Sequence, residues 1–175
     1  MVEPEKGIWE FDFRGVKRAT EQGFRLLGNF DTTPWFYADA DPGKEMESSW
    51  HRSWPPADYA AWREYVKRTA KAFQPYIKDW EVWNEPDGGF LQIPKGKDKA
   101  AVYREIIHQT RVALDELDIP MNLGAGAVSN LHRPLTRDVL ALGAGEDIDF
   151  YSFHYYDGCA DKSPEEAGVI PEIEH

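Results

Sequence analysis

Apolar side chains follow two helical stripes in the middle of the chain. Each stripe repeats with a period of about 3.6 residues, which places its members on one face of a helix. The first stripe consists of Trp62, Tyr65, Val66, Thr69, Ala70, Phe73 and Ile77, and the second of Tyr103, Ile106, Ile107, Thr110, Ala113, Leu114 and Leu117. Two long amphipathic helices that share a core are therefore predicted.

Two shorter helices are predicted on weaker signals. Residues 12–23 begin with Asp12, a favourable helix N-cap, and end with Gly23, a favourable residue just beyond a helix. The other short helix lies near the sequence LTRDVLALG at 135–143.

Four short apolar runs alternate with these helices and predict β-strands. They are FRLLGNF (24–30), WEVWNEPD (80–87), MNLGAGAV (121–128) and IDFYSFHYY (148–156). Residues 38–56 predict a long loop that contains several Trp, and residues 157–175 show no strong element. Strands that alternate with helices indicate an α/β protein with a parallel sheet and right-handed crossovers. Four strands fit a small doubly wound sheet or half of a (β/α)8 barrel.

Composition excludes several classes of partner. The 175 residues carry a net charge of −11, so the surface should repel phosphate groups, and nucleic acid is not expected as a partner. No apolar run approaches the roughly 20 residues of a membrane span. The single cysteine, Cys159, excludes an intrachain disulfide. We expect no metal and no cofactor, because the chain has neither a paired Cys/His spacing nor a Gly-rich phosphate loop after a strand.

The carboxyl ends of the predicted strands carry the candidate functional residues, since parallel α/β folds place their sites at that edge. Trp35 follows the first strand, Asn84 and Glu85 end the second, and His154 and Tyr156 end the fourth. Carboxylate, amide and imidazole groups hydrogen-bond hydroxyls. Seven Trp and eight Tyr in the chain also offer flat faces on which sugar rings can stack.

The passage DWEVWNEPD (79–87) resembles the fourth barrel strand of the clan A retaining glycoside hydrolases. In that clan an Asn-Glu pair followed by Pro ends this strand. GFRLLGNFDTTPW (23–35) resembles the third strand, and DFYSFHYYD (149–157) resembles the sixth. The Trp before Asn-Glu is most similar to family 39, which holds β-xylosidases and α-L-iduronidases. The resemblance covers about residues 12–157 and implies strands three to six of a (β/α)8 barrel.

The resemblance implies that Glu85 is the general acid/base, which protonates the leaving oxygen. It further implies that Asn84 hydrogen-bonds the sugar 2-hydroxyl, and that His154 and Tyr156 line the sugar site. Trp35 is expected to be a stacking platform. A carbohydrate is thus the expected partner, namely a β-linked glycoside with a xyloside as the first expectation.

Two residues of the long loop, Trp50 and Trp54, are further candidates for stacking platforms. The compartment stays unassigned.

The resemblance also implies an incomplete barrel. Residues 1–175 are expected to form one incomplete barrel domain, with its core at 12–157 and an irregular tail at 158–175. The nucleophile of the clan is a Glu on the seventh strand, which we do not identify, so the chain alone is expected to be inactive. A non-catalytic carbohydrate-binding remnant of the same fold is the main alternative, and an unrelated α/β enzyme is a third. Open sheet edges along 24–30 and 148–156 predict self-association.

Overall fold

The computed structural model describes residues 2–44, 54–129 and 133–155, together with residues 163 and 166. Four α-helices and four β-strands alternate along these residues. In chain order they are α1 (Arg14–Glu21), β1 (Leu26–Phe30), α2 (Tyr59–Phe73), β2 (Ile77–Val82), α3 (Lys99–Asp115), β3 (Asn122–Val128), α4 (Pro134–Ala141) and β4 (Phe150–Phe153), with short 3-10 helices at Trp35–Tyr37 and Ala144–Glu146.

The strands form one parallel sheet in the order β1-β2-β3-β4. Helix α2 packs against α3 and α3 against α4, so the crossovers follow one another on the same side of the sheet. A doubly wound sheet would need a reversal of strand order, and the described strands show none. The structure confirms the predicted α/β class, and its winding is that of part of a (β/α)8 barrel.

The hydrophobic core lies between the sheet and the helices. In the register of β1 and β2, Gly28 lies beside Trp80 and Phe30 beside Val82, all on the helix-facing side. The Trp80 ring stacks on the Phe30 ring with centroids 4.3 Å apart. The two helical stripes complete the core with the buried residues Trp62, Val66, Ala70, Tyr103, Ile106, Ile107, Ala113 and Leu114. This packing fixes the register of the strands that carry the candidate site.

The opposite face of the sheet is polar along β1 and β2. It carries Leu27, which is exposed, and then Asn29, Asp79 and Glu81. Within the described residues, β1 and β4 each pair with one neighbouring strand. The predicted self-association through these edges remains a prediction.

Two predictions about helix ends are wrong. Asp12 is not the N-cap of α1, because Phe13 occupies that position without a side-chain cap, and the Asp12 carboxylate binds Arg14 instead. Ile77 does not belong to α2. The helix ends at Phe73, two residues before a proline, and Ile77 is the first residue of β2.

The extent of β2 also differs from the prediction of a strand over residues 80–87. The strand ends at Val82, because Trp83 has a φ of +66° and Glu85 a φ of +41°. Extended backbone cannot pass through these left-handed conformations. The described parts of the long loop, 38–44 and 54–56, contain no helix or strand beyond an isolated bridge between Ala38 and Pro56. Most of the predicted tail lies outside the described residues.

No described helix combines the length and the apolar character that crossing a bilayer requires.

Replacement of Gly28 by Ala tests the packing of Trp80 on the sheet. A β-carbon at Gly28 would clash with the six-membered ring of Trp80, which is buried and stacked on Phe30. We expect Gly28→Ala to lower the free energy of unfolding by about 1–3 kcal/mol in a urea titration. Gly145→Ala is the matched control, since nothing lies within 4 Å of a β-carbon there, and it should change stability by less than about 0.5 kcal/mol. Equal effects would contradict the packing described.

Candidate functional site

Glu85 and His154 lie beyond the carboxyl ends of β2 and β4, and their side chains are in contact. Oε1 of Glu85 is 2.8 Å from Nδ1 of His154. The Glu85 side chain is 17% exposed and that of His154 31% exposed, so the pair is sheltered but open to solvent. Which of the two atoms donates depends on the tautomer of the imidazole. The predicted placement of both residues on one rim is confirmed, and their roles remain predictions.

Backbone hydrogen bonds fix this pair to β3, the strand between β2 and β4. The Glu85 N–H donates to the carbonyl of Ala127 at 2.9 Å, and the His154 N–H donates to the carbonyl of Val128 at 2.7 Å. The two donors thus bind consecutive carbonyls of one strand. The contact between Glu85 and His154 therefore follows from how both segments end on β3.

Three residues at the carboxyl ends of β2 and β3 have left-handed backbone without being glycine. The φ angles are +66° at Trp83, +41° at Glu85 and +41° at Ala127. Such conformations are strained for residues with a β-carbon and persist only where neighbouring interactions hold them. The strain turns the chain after β2 and places Glu85 next to its imidazole partner.

A layer of polar side chains lies one level below the rim. Asn29 donates through Nδ2 to Oε1 of Glu81 at 3.1 Å and to the carbonyl of Trp83 at 3.0 Å. Ser152 donates through Oγ to Oε2 of Glu81 at 2.9 Å, and the same Oγ accepts from the Ala127 N–H at 3.0 Å. Sequence reasoning missed Glu81 and Ser152. The available signal was a charged residue within the otherwise apolar run WEVW.

Asp87 holds the loop after β2 against the loop after β3. Its side chain is only 3% exposed. It accepts from the Ser129 N–H at 2.9 Å and from the Ser129 hydroxyl at 2.6 Å, and lies 3.1 Å from the Arg133 guanidinium. On the other side of the loop, Lys99 donates to the carbonyls of Pro86 and Gly88, and burial lowers the pKa of its amine. The backbone around Glu85 is thus held from both sides.

Asp31 is a further carboxyl group at the end of β1. Its Oδ1 accepts from the Thr32 N–H at 2.8 Å. Burial raises the pKa of Asp31, and the negative charge of Glu81 adds to the shift. The neutral form of Asp31 is therefore more populated than for an exposed aspartate.

The remaining predicted site residues differ in what the structure shows. Asn84 is half-buried immediately before Glu85, and Trp35 is 50% exposed beyond the end of β1. Tyr156 and Trp50 lie outside the described residues. Trp54 is buried in the core, so it cannot offer an open stacking face, and its prediction as a platform is wrong.

Comparisons with known proteins support the fold. No family model matches the sequence, and no curated protein matches it. The structure is similar to a family 39 glycoside hydrolase from the gut symbiont Bacteroides cellulosilyticus WH2, with a TM-score of 0.68 and 20% identity over 93% of this chain and 32% of that chain.

Two further solved structures have the same arrangement of elements. The catalytic domain of the GH30 xylanase C from Talaromyces cellulolyticus matches with a TM-score of 0.60 and 14% identity, over 85% of this chain and 38% of that one. A psychrophilic family 10 endo-β-1,4-xylanase matches with a TM-score of 0.58 and 15% identity, over 98% of this chain and 57% of that one.

All three matches are clan A glycoside hydrolases, as the sequence resemblance predicted. At these identities the likeness shows the fold, which is the partial (β/α)8 barrel of this class. The chain spans between 32% and 57% of the length of these proteins.

Replacement of Asp87 tests how the loop that follows Glu85 is held. Asp87→Ala leaves the partly buried Ser129 N–H without its acceptor, which should lower the free energy of unfolding by about 1–3 kcal/mol. Asp138→Ala is the control, because Asp138 pairs at the surface with its neighbour Arg137 and should change stability by less than about 0.5 kcal/mol. Denaturant titration gives the free energy of unfolding of both variants. If Asp87→Ala were as stable as Asp138→Ala, the hydrogen bonds of Asp87 would not be what holds the two loops together.

Proposed function

We propose that this chain supplies the acid/base part of a retaining glycoside hydrolase site, with Glu85 as the general acid/base. The observation that carries the proposal is the 2.8 Å contact between Glu85 Oε1 and His154 Nδ1 at the carboxyl rim of the sheet. A carboxyl group held by an imidazole has a fixed orientation and a nearby proton donor or acceptor. Both are what proton transfer to and from a glycosidic oxygen requires.

The proposed reaction has two steps. In the first, Glu85 gives its proton to the leaving oxygen while the glycosidic C–O bond breaks and a second carboxylate bonds to the anomeric carbon. In the second, Glu85 takes a proton from water as the water oxygen displaces that carboxylate. The second carboxylate must lie about 5 Å from the first.

The other carboxyl groups described near this rim are unsuited to be the nucleophile. Burial raises the pKa of Asp31, which favours its neutral form. Glu81 accepts from Asn29 and Ser152, and Asp87 is bound to Ser129 and Arg133. A nucleophile needs an accessible and unencumbered oxygen. We therefore assign the nucleophile to a part of the barrel other than the four described strands. We also propose that this chain forms a single incomplete barrel domain.

The proposed substrate is a β-linked glycoside, with a xyloside first. The fold is shared with two xylanases. Trp35 presents an exposed indole face on which a sugar ring can stack. We assign Asn84, His154 and Tyr156 to hydrogen bonds with sugar hydroxyls.

The second candidate function is carbohydrate binding without hydrolysis. The engagement of Glu81 and Asp87 favours it, since the described rim then offers an acid but no nucleophile. Turnover of aryl β-xylosides tests whether the nucleophile lies within this chain. We expect no measurable turnover by the chain alone, because an isolated acid contributes only roughly 10²–10⁴-fold. Hydrolysis with retained anomeric configuration that is lost in Glu85→Gln would place the nucleophile within this chain.

Binding of xylotriose tests the sugar site itself by isothermal titration calorimetry. We expect Trp35→Ala to weaken binding by roughly 2–10-fold, as the loss of one stacking contact predicts. Phe24→Ala is the matched control. Phe24 is 63% exposed, but it precedes β1 and so lies at the amino ends of the strands, away from the carboxyl rim. It should leave the affinity unchanged. Absence of saturable binding, or equal loss in both variants, would contradict the proposed site.

A further inference from the structure

We propose that Glu81 is a positioning residue for the contact between Glu85 and His154. The catalytic consequence of this inference rests on the proposed function of Glu85, whereas the positioning itself follows from the hydrogen bonds of the described residues. Glu81 lies on the polar face of β2, four positions before Glu85, and contacts neither residue of the pair in the described hydrogen bonds. It acts through its neighbours on β1 and β4.

Glu81 is the centre of a chain of hydrogen bonds that crosses the whole described sheet. Asn29 of β1 donates to one carboxylate oxygen, and Ser152 of β4 donates to the other. Strands β2 and β4 are not neighbours and lie roughly 9–10 Å apart, twice the usual spacing. Their side chains meet across β3, which carries only glycine and alanine over Gly124–Ala127. A β-carbon at Gly124 would meet the Phe150 ring and one at Gly126 the Tyr151 ring, so a larger side chain here would displace the part of β4 that carries Ser152.

The two ends of this chain of hydrogen bonds hold the strained backbone at the rim. Asn29 also donates to the carbonyl of Trp83. Ser152 accepts from the N–H of Ala127, whose carbonyl accepts from the N–H of Glu85. Glu81 is therefore connected to the three left-handed residues at the ends of β2 and β3. Strained conformations of this kind need such support, and the position of the Glu85 carboxyl depends on them.

A carboxylate is the side chain that this position requires. Both partners of Glu81 are donors, one an amide N–H and the other a hydroxyl. A carboxylate accepts at both oxygens, whereas the nitrogen of a Gln amide has no lone pair to offer. Glu81→Gln keeps the size of the side chain but removes one of its two acceptor oxygens, so the Ser152 hydroxyl must turn away from this position to donate elsewhere. The expected result is a displaced rim rather than an unfolded core.

The side-chain ¹⁵N resonances of His154 test this inference in the intact chain. Glu85→Gln, which replaces the direct partner of the imidazole, gives the reference position for a changed contact. We expect Glu81→Gln to move the His154 Nδ1 resonance towards that reference. Ser152→Ala should move it in the same direction, because it cuts the connection between Glu81 and Ala127.

The matched control is Asp79→Asn. Asp79 lies two residues earlier on the same strand and face, and its carboxylate binds Arg25 and Asn122 instead. The substitution removes the same charge. Because the partners of Asp79 do not lead to the rim, the His154 resonance should stay at its wild-type position. A merely structural or long-range electrostatic role of Glu81 would move the resonance equally in Glu81→Gln and Asp79→Asn.

Two results would overturn the inference. One is a His154 resonance at the wild-type position in folded Glu81→Gln, and the other is an equal shift in the Asp79→Asn control. If thermal melting shows that Glu81→Gln does not fold, the His154 resonance of Ser152→Ala is the deciding measurement, since that substitution removes only a single hydroxyl. Failure of the chain to bind xylotriose would contradict the proposed function, but the His154 resonance would still report whether Glu81 positions the Glu85–His154 contact. Failure of the proposed function and failure of this inference are therefore distinguishable.

Discussion

Strand β3 lies between β2 and β4, the strands that Glu85 and His154 follow, and its side chains do not extend beyond the β-carbon from Gly124 to Ala127. Adjacent strands are about 4.8 Å apart, so side chains of β2 and β4 must span two such gaps to touch. They do so at two levels, Glu81 with Ser152 and Glu85 with His154. The small residues of β3 leave room for the side chains of β4, because a β-carbon at Gly124 would meet the Phe150 ring and one at Gly126 the Tyr151 ring.

One face of the sheet stabilises the fold, and the other face carries the polar groups of the candidate site. On the helix-facing side, Trp80 fills the space left by Gly28 and stacks on Phe30, which fixes the register of β1 against β2. That register places Asn29 beside Glu81 on the other face. Burial of apolar surface therefore determines which polar groups meet, and the polar groups in turn hold the strained turn before Glu85.

Sequence patterns predicted the helices and the order of strands because apolar periodicity reports burial directly. They also indicated that Glu85 and His154 end strands of one parallel sheet, which brings them to one rim. They could not give the end of β2, because neither Trp83 nor Glu85 is a residue type that favours left-handed backbone. The contact of Glu81 with Ser152 joins residues 71 positions apart and depends on strand register, which single positions do not encode.

Mapping of xylotriose contacts on the ¹⁵N-labelled chain tests the central claim, that the carboxyl rim of this sheet is a sugar site built around Glu85 and His154. We expect the backbone amide resonances of Trp35, Asn84, Glu85 and His154 to shift in a saturable manner. Amides at the amino ends of the strands, such as those of Arg25 and Lys78, should stay in place. Saturable shifts confined to the amino ends, or no shifts at any sugar concentration, would contradict this claim.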